Sequence, residues 1–307
     1  MTNAASAPTY RSGTKSVPAS GIATPEERAA ALTFLQKLAT EVSAGTVDLP
    51  CFPGVVVRIS HALADPNTTS NRLVTIVGAE PRLAARVLQT ANSAAFNSSG
   101  KSLTDLRAAI TRLGQQMVQG TAMSYAMQHM KNEASLRSIA QPLAELWNRS
   151  IAVASISKLI AVRTKVRADD AFLTGLLHGI GTLYIMARAA ALASELGGEL
   201  AWMMELIGGW HASIGKAVLQ SWGFDEPMCE AVGDQGEIDR RWKHEATLTD
   251  VLIASIVLAD ALKTPEPRVL GTEGINAFLS IGVTPADCTA ILAQGEEQIR
   301  LVHEALG

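Results

Sequence analysis

Aromatic rings, cysteine, charge excess and secretory or membrane signals are all scarce in this sequence. Aromatic residues are only 5% of a chain that is 48% hydrophobic. Alanine and leucine supply most of that hydrophobicity, which favours helices over sheet. The three cysteines, Cys51, Cys229 and Cys288, are odd in number and far apart. They make neither a CxxC site nor a disulfide framework, so a reducing, cytoplasmic setting is the simpler expectation. Lysine and arginine total 26 against 29 acids, a net charge of -3, and no basic block stands out. Electrostatics therefore gives no case for nucleic acid. No apolar run reaches the roughly 18 residues that a membrane span needs. The N-terminus has no apolar core of signal-peptide length. There is also no G-x-S-x-G elbow, Walker loop or GxGxxG after a strand, so the common serine-hydrolase, P-loop and dinucleotide sites are not indicated.

What the chain does have is organised around FLTGLLHGIGTLYIM, Phe172 to Met186. Leu173, Leu176, Leu177, Ile180 and Leu183 recur at helical spacing, with a lone imidazole, His178, among them and Gly179 and Gly181 beside it. At 307 residues the chain can form one large domain or two ordinary ones. Residues 1–24 are rich in Ala, Ser, Thr, Gly and Pro without apolar period, and read as a disordered leader. Thr24-Pro25-Glu26-Glu27 is a helix start. Further helices are expected over Val55 to Leu63, after Thr69 or Ser70, from Pro81, and from Leu106 to a stop at Gly114. The next helix carries Met117, Met123, Met127 and Met130, a stripe that reads as core filling. The ANSAAF block, residues 91–96, suits a helix end and turn. Gln141-Pro142 begins a broad apolar helix, Ala168-Asp169-Asp170 caps the organising one, and His211 precedes a helix through Ile214 and Leu219. Asp260 is the single acid late in DVLIASIVLADAL, and Thr284-Pro285 starts the last helix.

LPCFPGVVVRISHALADPNTT, then AEPRLAARVLQTANSAAF, then LRAAITRLG, together resemble the HDOD family of bacterial signalling domains, helical relatives of HD-type metal-dependent phosphohydrolases. The resemblance runs from about Leu49 to Leu262. It implies an all-α, two-lobed helical bundle. The expected layout is an HDOD domain over 25–265, with an N-terminal lobe at about 25–139 and an HD-like lobe at about 140–265, then a C-terminal helical extension over 266–307.

The resemblance also implies where metal chemistry would sit, and there the sequence departs from the active pattern. Active relatives bind metal through an early histidine, a His-Asp pair, further histidines and a late aspartate, and the metal activates water. The early histidine aligns with Arg149, whose guanidinium has no lone pair to give a metal. The His-Asp pair is His178-Gly179, and the adjacent histidines expected later fall at Asp234-Gln235. His178, His211 and Asp260 remain as weak candidates for a three-ligand site. Weighed against that is a scaffold reading, in which Arg149 pairs with Asp234 or Asp260 in place of a metal. The degenerate pocket is thus Arg149, His178, Gly179, His211, Asp234 and Asp260, with no catalytic residue, no metal and no cofactor expected. Asn92, Ser93 and Phe96 form a candidate interaction turn with a structural alternative, Asn92 capping a helix and Phe96 filling the lobe boundary. Cys51, between prolines, reads as packing.

These residues point to a non-catalytic signalling module that docks partner proteins, with a nucleotide or other anion at Arg149 left open. The partner classes are a histidine kinase, a response regulator or a cyclic-dinucleotide enzyme. The alternative is a metal-dependent phosphohydrolase with a reduced site.

Overall fold

The structure is a computed structural model. It describes residues 49–65, 67–97, 99–196, 201–238, 245–262 and 276–306, with parts of 33–44. The leader over 1–24, the Thr24 helix start, the break at Gly197-Gly198, His244 and Pro265 and Pro267 lie outside the described residues.

Among the described residues the chain is all-helical and without strands. The first lobe includes the helices Gly54–Ala64 (α1), Ser70–Gly78 (α2), Pro81–Asn92 (α3) and Leu106–Asn132 (α4). Their starts follow from capping chemistry. The Thr69 side chain accepts from the Arg72 N–H and Asp105 accepts from the Ala108 N–H, while Pro81 opens α3. The expected stop at Gly114 is a break inside α4, where φ is 73° and ψ 167°, a geometry that glycine takes without the Cβ penalty. Met117, Met123, Met127 and Met130 are all buried, as the stripe suggested.

A short 3-10 segment, Ala134–Ile139, leads into the second lobe. Its helices are Ala140–Ala161 (α5), Ala168–Leu177 (α6), Ile180–Leu196 (α7), Ala201–Ser221 (α8), Glu226–Gly233 (α9), Leu248–Ala261 (α10) and Asn276–Ile281 (α11). The last helix, Pro285–Leu306 (α12), packs along α5 and reaches α3. α6 lies closely against α5, α7 against α8, and α10 against α5.

Four expectations need correction. The organising stretch is two helices, α6 and α7, that part at His178-Gly179. The His178 carbonyl is taken by Gln235 Nε2 at 3.1 Å, so it leaves the helical ladder, which resumes at the bond from Leu183 N–H to the Gly179 carbonyl. Ala168–Ala190 is, by length and composition, apolar enough to cross a membrane, contrary to expectation, and 89% of its apolar 18-residue window is buried inside the fold. Finally, His211 lies within α8 and not before a helix, because Gly208 and Gly209 continue that helix. The cap of α6 also differs in detail: Arg167 is its N-cap and Asp169 and Asp170 occupy the first turn.

Candidate functional site around Arg149 and His178

The candidate site is assembled from the middle of α5 and the ends of α6 and α10. Trp147, Ser150 and Ile151 turn one face of α5 into the core. Arg149 lies beside that face with its side chain 30% exposed. The end of α6 brings His178, which is 1% exposed. The last turn of α10 brings Asp260. Arg149 Nε donates to Asp260 Oδ1 at 3.1 Å and Nη2 to Oδ2 at 2.8 Å, a bidentate pair of fork on fork. The remaining guanidinium nitrogen, Nη1, lies 3.3 Å from His178 Nε2.

The chemistry of those partners fixes the state of His178. A guanidinium only donates, so Nε2 must accept. A carbonyl only accepts, so Nδ1, 2.7 Å from the Gly175 carbonyl, must carry the proton. His178 is therefore the neutral Nδ1–H tautomer. Burial, and then the positive charge of Arg149, pull its pKa from 6.5 down to about 3.

This donor set does not fit a metal. Both nitrogens of His178 and both oxygens of Asp260 are already engaged, and a permanent cation stands among them. Among the described residues no three His, Cys, Asp or Glu side chains gather as a metal would need. His211 is half-buried on α8 and adds a lesser electrostatic depression to the pKa of His178.

Of the two candidate partners for Arg149, the structure takes Asp260. Asp234 is exposed at the C-cap of α9. Its neighbour Gln235 is the buried one, donating to the carbonyls of His178 at 3.1 Å and Val232 at 2.8 Å. Sequence reasoning passed over Gln235, although it fills the second of the two expected histidine positions. Gly179 sits against α5, where an added Cβ would lie 2.7 Å from Leu146 Cδ1. The cavity beside it, lined by Met123, Met127, Leu146, Trp147, Ser150 and Gly179 among others, measures about 20 Å³. That admits about one water, whereas small-molecule sites run to roughly 300 Å³ or more.

The ANSAAF turn is tied inward. Asn92 Nδ2 donates to the Leu103 carbonyl at 2.8 Å and Asn92 Oδ1 accepts from the Leu103 N–H at 2.7 Å. Ser93 Oγ donates to the Thr90 carbonyl, and Phe96 packs partly buried on the core. Cys51 holds a left-handed φ of 60° with Sγ 3.4 Å from Ser135 Oγ. Among the other histidines, His61 Nε2 meets the Ser221 carbonyl at 3.0 Å, joining α1 to the end of α8. His129 pairs with Glu133, and His303 meets Asn148 Oδ1 at 3.2 Å. A separate polar groove of about 400 Å³ lies between α3 and α4 on the first lobe, lined in part by Arg82, Arg86, Tyr125 and His129.

The described residues define an all-helical protein. The chain belongs to the HDOD domain family, whose model matches residues 49–238. It is similar to a protein of Shewanella amazonensis SB2B named "Putative metal-dependent phosphohydrolase", with a TM-score of 0.67 and 24% identity, covering 89% of this chain and 98% of that one. It is also similar to an HDOD domain protein with unknown function from Geobacter sulfurreducens, with a TM-score of 0.57 and 24% identity, covering 90% of this chain and 98% of that one. At those identities the likeness is one of fold alone. An uncharacterized protein of Treponema pallidum (strain Nichols) is 24% identical over 212 residues. That match takes in 65% of this chain and 40% of the relative, so the chain spans about two fifths of its relative's length.

Proposed function

We propose that this chain is a non-catalytic signalling module, in which a guanidinium occupies the centre of an HD-type pocket and the protein acts by binding partner proteins. The observation that carries the reading is the Arg149 fork, which engages Asp260 and His178 together. Water activation in HD-type chemistry needs a Lewis acid with an open position, and permanently charged Arg149 is not one. The same fork counts against an anion sensor, since a phosphate would have to displace Asp260 to reach Arg149. The partners that fit are signalling proteins of the histidine kinase, response regulator or cyclic-dinucleotide enzyme classes.

The test is turnover of cyclic dinucleotides and of a chromogenic phosphodiester in the presence of Mn²⁺, Zn²⁺ or Mg²⁺. No turnover above a His178→Ala, Asp260→Ala double variant is expected. Metal-dependent turnover lost in that variant would establish the phosphohydrolase reading instead.

A further inference from the structure

The facing sides of α3 and α4 are apolar and buried, with Leu83 and Val87 on one helix and Ala126, Met127 and Met130 on the other. Beside that seam their polar flanks bound the groove of about 400 Å³. Small-molecule sites begin at roughly 300 Å³, so this groove has room for a ligand that the cavity of about 20 Å³ beside Gly179 lacks.

One wall is α3. Arg82, Arg86 and Gln89 follow one another at spacings of four and three, which puts them on one side of the helix. Arg82 is exposed, and it makes no ion pair with another described residue. Arg86 is half-buried and fixed in place: Nη2 donates to the Leu306 carbonyl at 3.0 Å and Nη1 to Gln89 Oε1 at 3.3 Å. Burial holds the Arg86 pKa below the ordinary arginine value, and a cation short of water gains more from an arriving anion. The bond from Arg86 takes the oxygen of the Gln89 amide and leaves its nitrogen as the donor.

The other wall is the end of α4. Tyr125 and His129, one helical turn apart, stack with ring centroids 6.4 Å apart and planes at 27°. Asn132 Nδ2 donates to the Gln128 carbonyl at 3.0 Å, which leaves Oδ1 as its acceptor. The carboxylates at this wall are engaged by its own side chains. Glu133 pairs with His129 at 3.3 Å, and Glu80 accepts from the Tyr125 hydroxyl. Guanidinium groups bind phosphate by charge-assisted hydrogen bonds, and aromatic rings give a nucleobase a face to stack on. An amide donor and an amide acceptor can meet the edge of such a base. The groove holds all three.

We propose that the groove between α3 and α4 is a binding site for a small phosphorylated heterocycle of the nucleoside monophosphate class. The phosphate sits at Arg82 and Arg86, the base lies against Tyr125 and His129, and its edge meets Gln89 Nε2 and Asn132 Oδ1. This goes beyond the signalling-module reading and does not rest on it. The nucleotide left open at Arg149 is placed on the first lobe instead.

The test is isothermal titration calorimetry of the full chain with adenosine monophosphate and guanosine monophosphate, set beside adenosine and inorganic phosphate. At least one nucleotide should bind saturably and at least tenfold more tightly than adenosine or phosphate. Arg82→Gln, at an exposed position that leaves the core intact, should weaken that nucleotide at least tenfold. Tyr125→Leu should weaken it at least fivefold and leave inorganic phosphate unchanged, with circular dichroism confirming that both variants are folded. Arg149→Ala should bind it as the wild type does. No saturable binding of either nucleotide at millimolar concentration would overturn the proposal, as would unchanged affinity in Arg82→Gln or Tyr125→Leu. Phosphate binding as tightly as the nucleotide would reduce the groove to a surface anion contact and overturn it too. Loss of the nucleotide in Arg149→Ala would overturn it by placing the ligand in the second lobe. None of these results depends on whether the chain hydrolyses a phosphodiester, so the two readings fail separately.

Discussion

Arg149 is charged in both folded and unfolded states, and its side chain is about one-third exposed, so its pair with Asp260 contributes only modestly to stability. Partly exposed ion pairs are worth about 1 kcal/mol or less. Arg149→Ala is expected to lower unfolding free energy by about 1 kcal/mol in urea titration. The larger effect falls on His178. Arg149 is second to burial among the causes that depress its pKa, so the variant's His178 should titrate higher, which NMR of the imidazole would read directly. His178 also sets a pH dependence. Its folded pKa of about 3 lies below its ordinary 6.5, so at intermediate pH the unfolded chain binds a proton the folded chain refuses. Stability from this group is therefore complete above about pH 6.5 and falls as pH drops towards 3, by about 1.4 kcal/mol per pH unit. A His178→Asn variant should flatten that slope in denaturant titrations at pH 4 to 7. An unchanged slope would place the acid sensitivity elsewhere.

The pocket depends on how tightly helices can approach. At the crossing of α7 and α8, a Cβ on Gly181 would lie 1.9 Å from the His211 carbonyl oxygen and 2.6 Å from the Gly215 nitrogen. Both are backbone atoms, which cannot swing aside. Gly181→Ala should therefore cost at least about 3 kcal/mol, at the upper end of overpacking penalties, and thermal unfolding would show it. On the first lobe, Asn92 closes the loop from α3 to α4 with two bonds to one backbone residue. Asn92→Ala should destabilise by about 1–3 kcal/mol and speed amide exchange at Leu103. A partner interaction lost in Asn92→Ala but kept in Ser93→Ala and Phe96→Ala would then reflect loop order and not a lost contact. Element starts were legible because their chemistry is local: Thr69, Pro81 and Thr284 act within a few residues of chain. The break between α6 and α7 was not, because the donor that takes the His178 carbonyl comes from Gln235, 57 residues away.

Across the whole molecule, the two lobes meet through contacts that composition does not reveal. Phe52 stacks on Trp222 with ring centroids 5.0 Å apart, His61 meets Ser221, and α12 spans both lobes. The fold class was legible from periodicity and from three sequence blocks of the family. Of the residues the sequence singled out, the structure brings Arg149, His178 and Asp260 together, whereas Asp234 lies exposed at the C-cap of α9. Which acid Arg149 would choose was not legible, since Asp234 and Asp260 are equally plausible along the chain and only the packing of α10 on α5 brings Asp260 into reach. The central claim is that this guanidinium stands where a metal would otherwise act. Its most direct test is ¹⁵N NMR of the His178 ring during titration with Zn²⁺ and Mn²⁺. The account predicts a neutral Nδ1–H ring at pH 7 whose Nε2 resonance is unmoved by one equivalent of either ion. A stoichiometric shift or broadening at Nε2, abolished in Asp260→Ala, would contradict it.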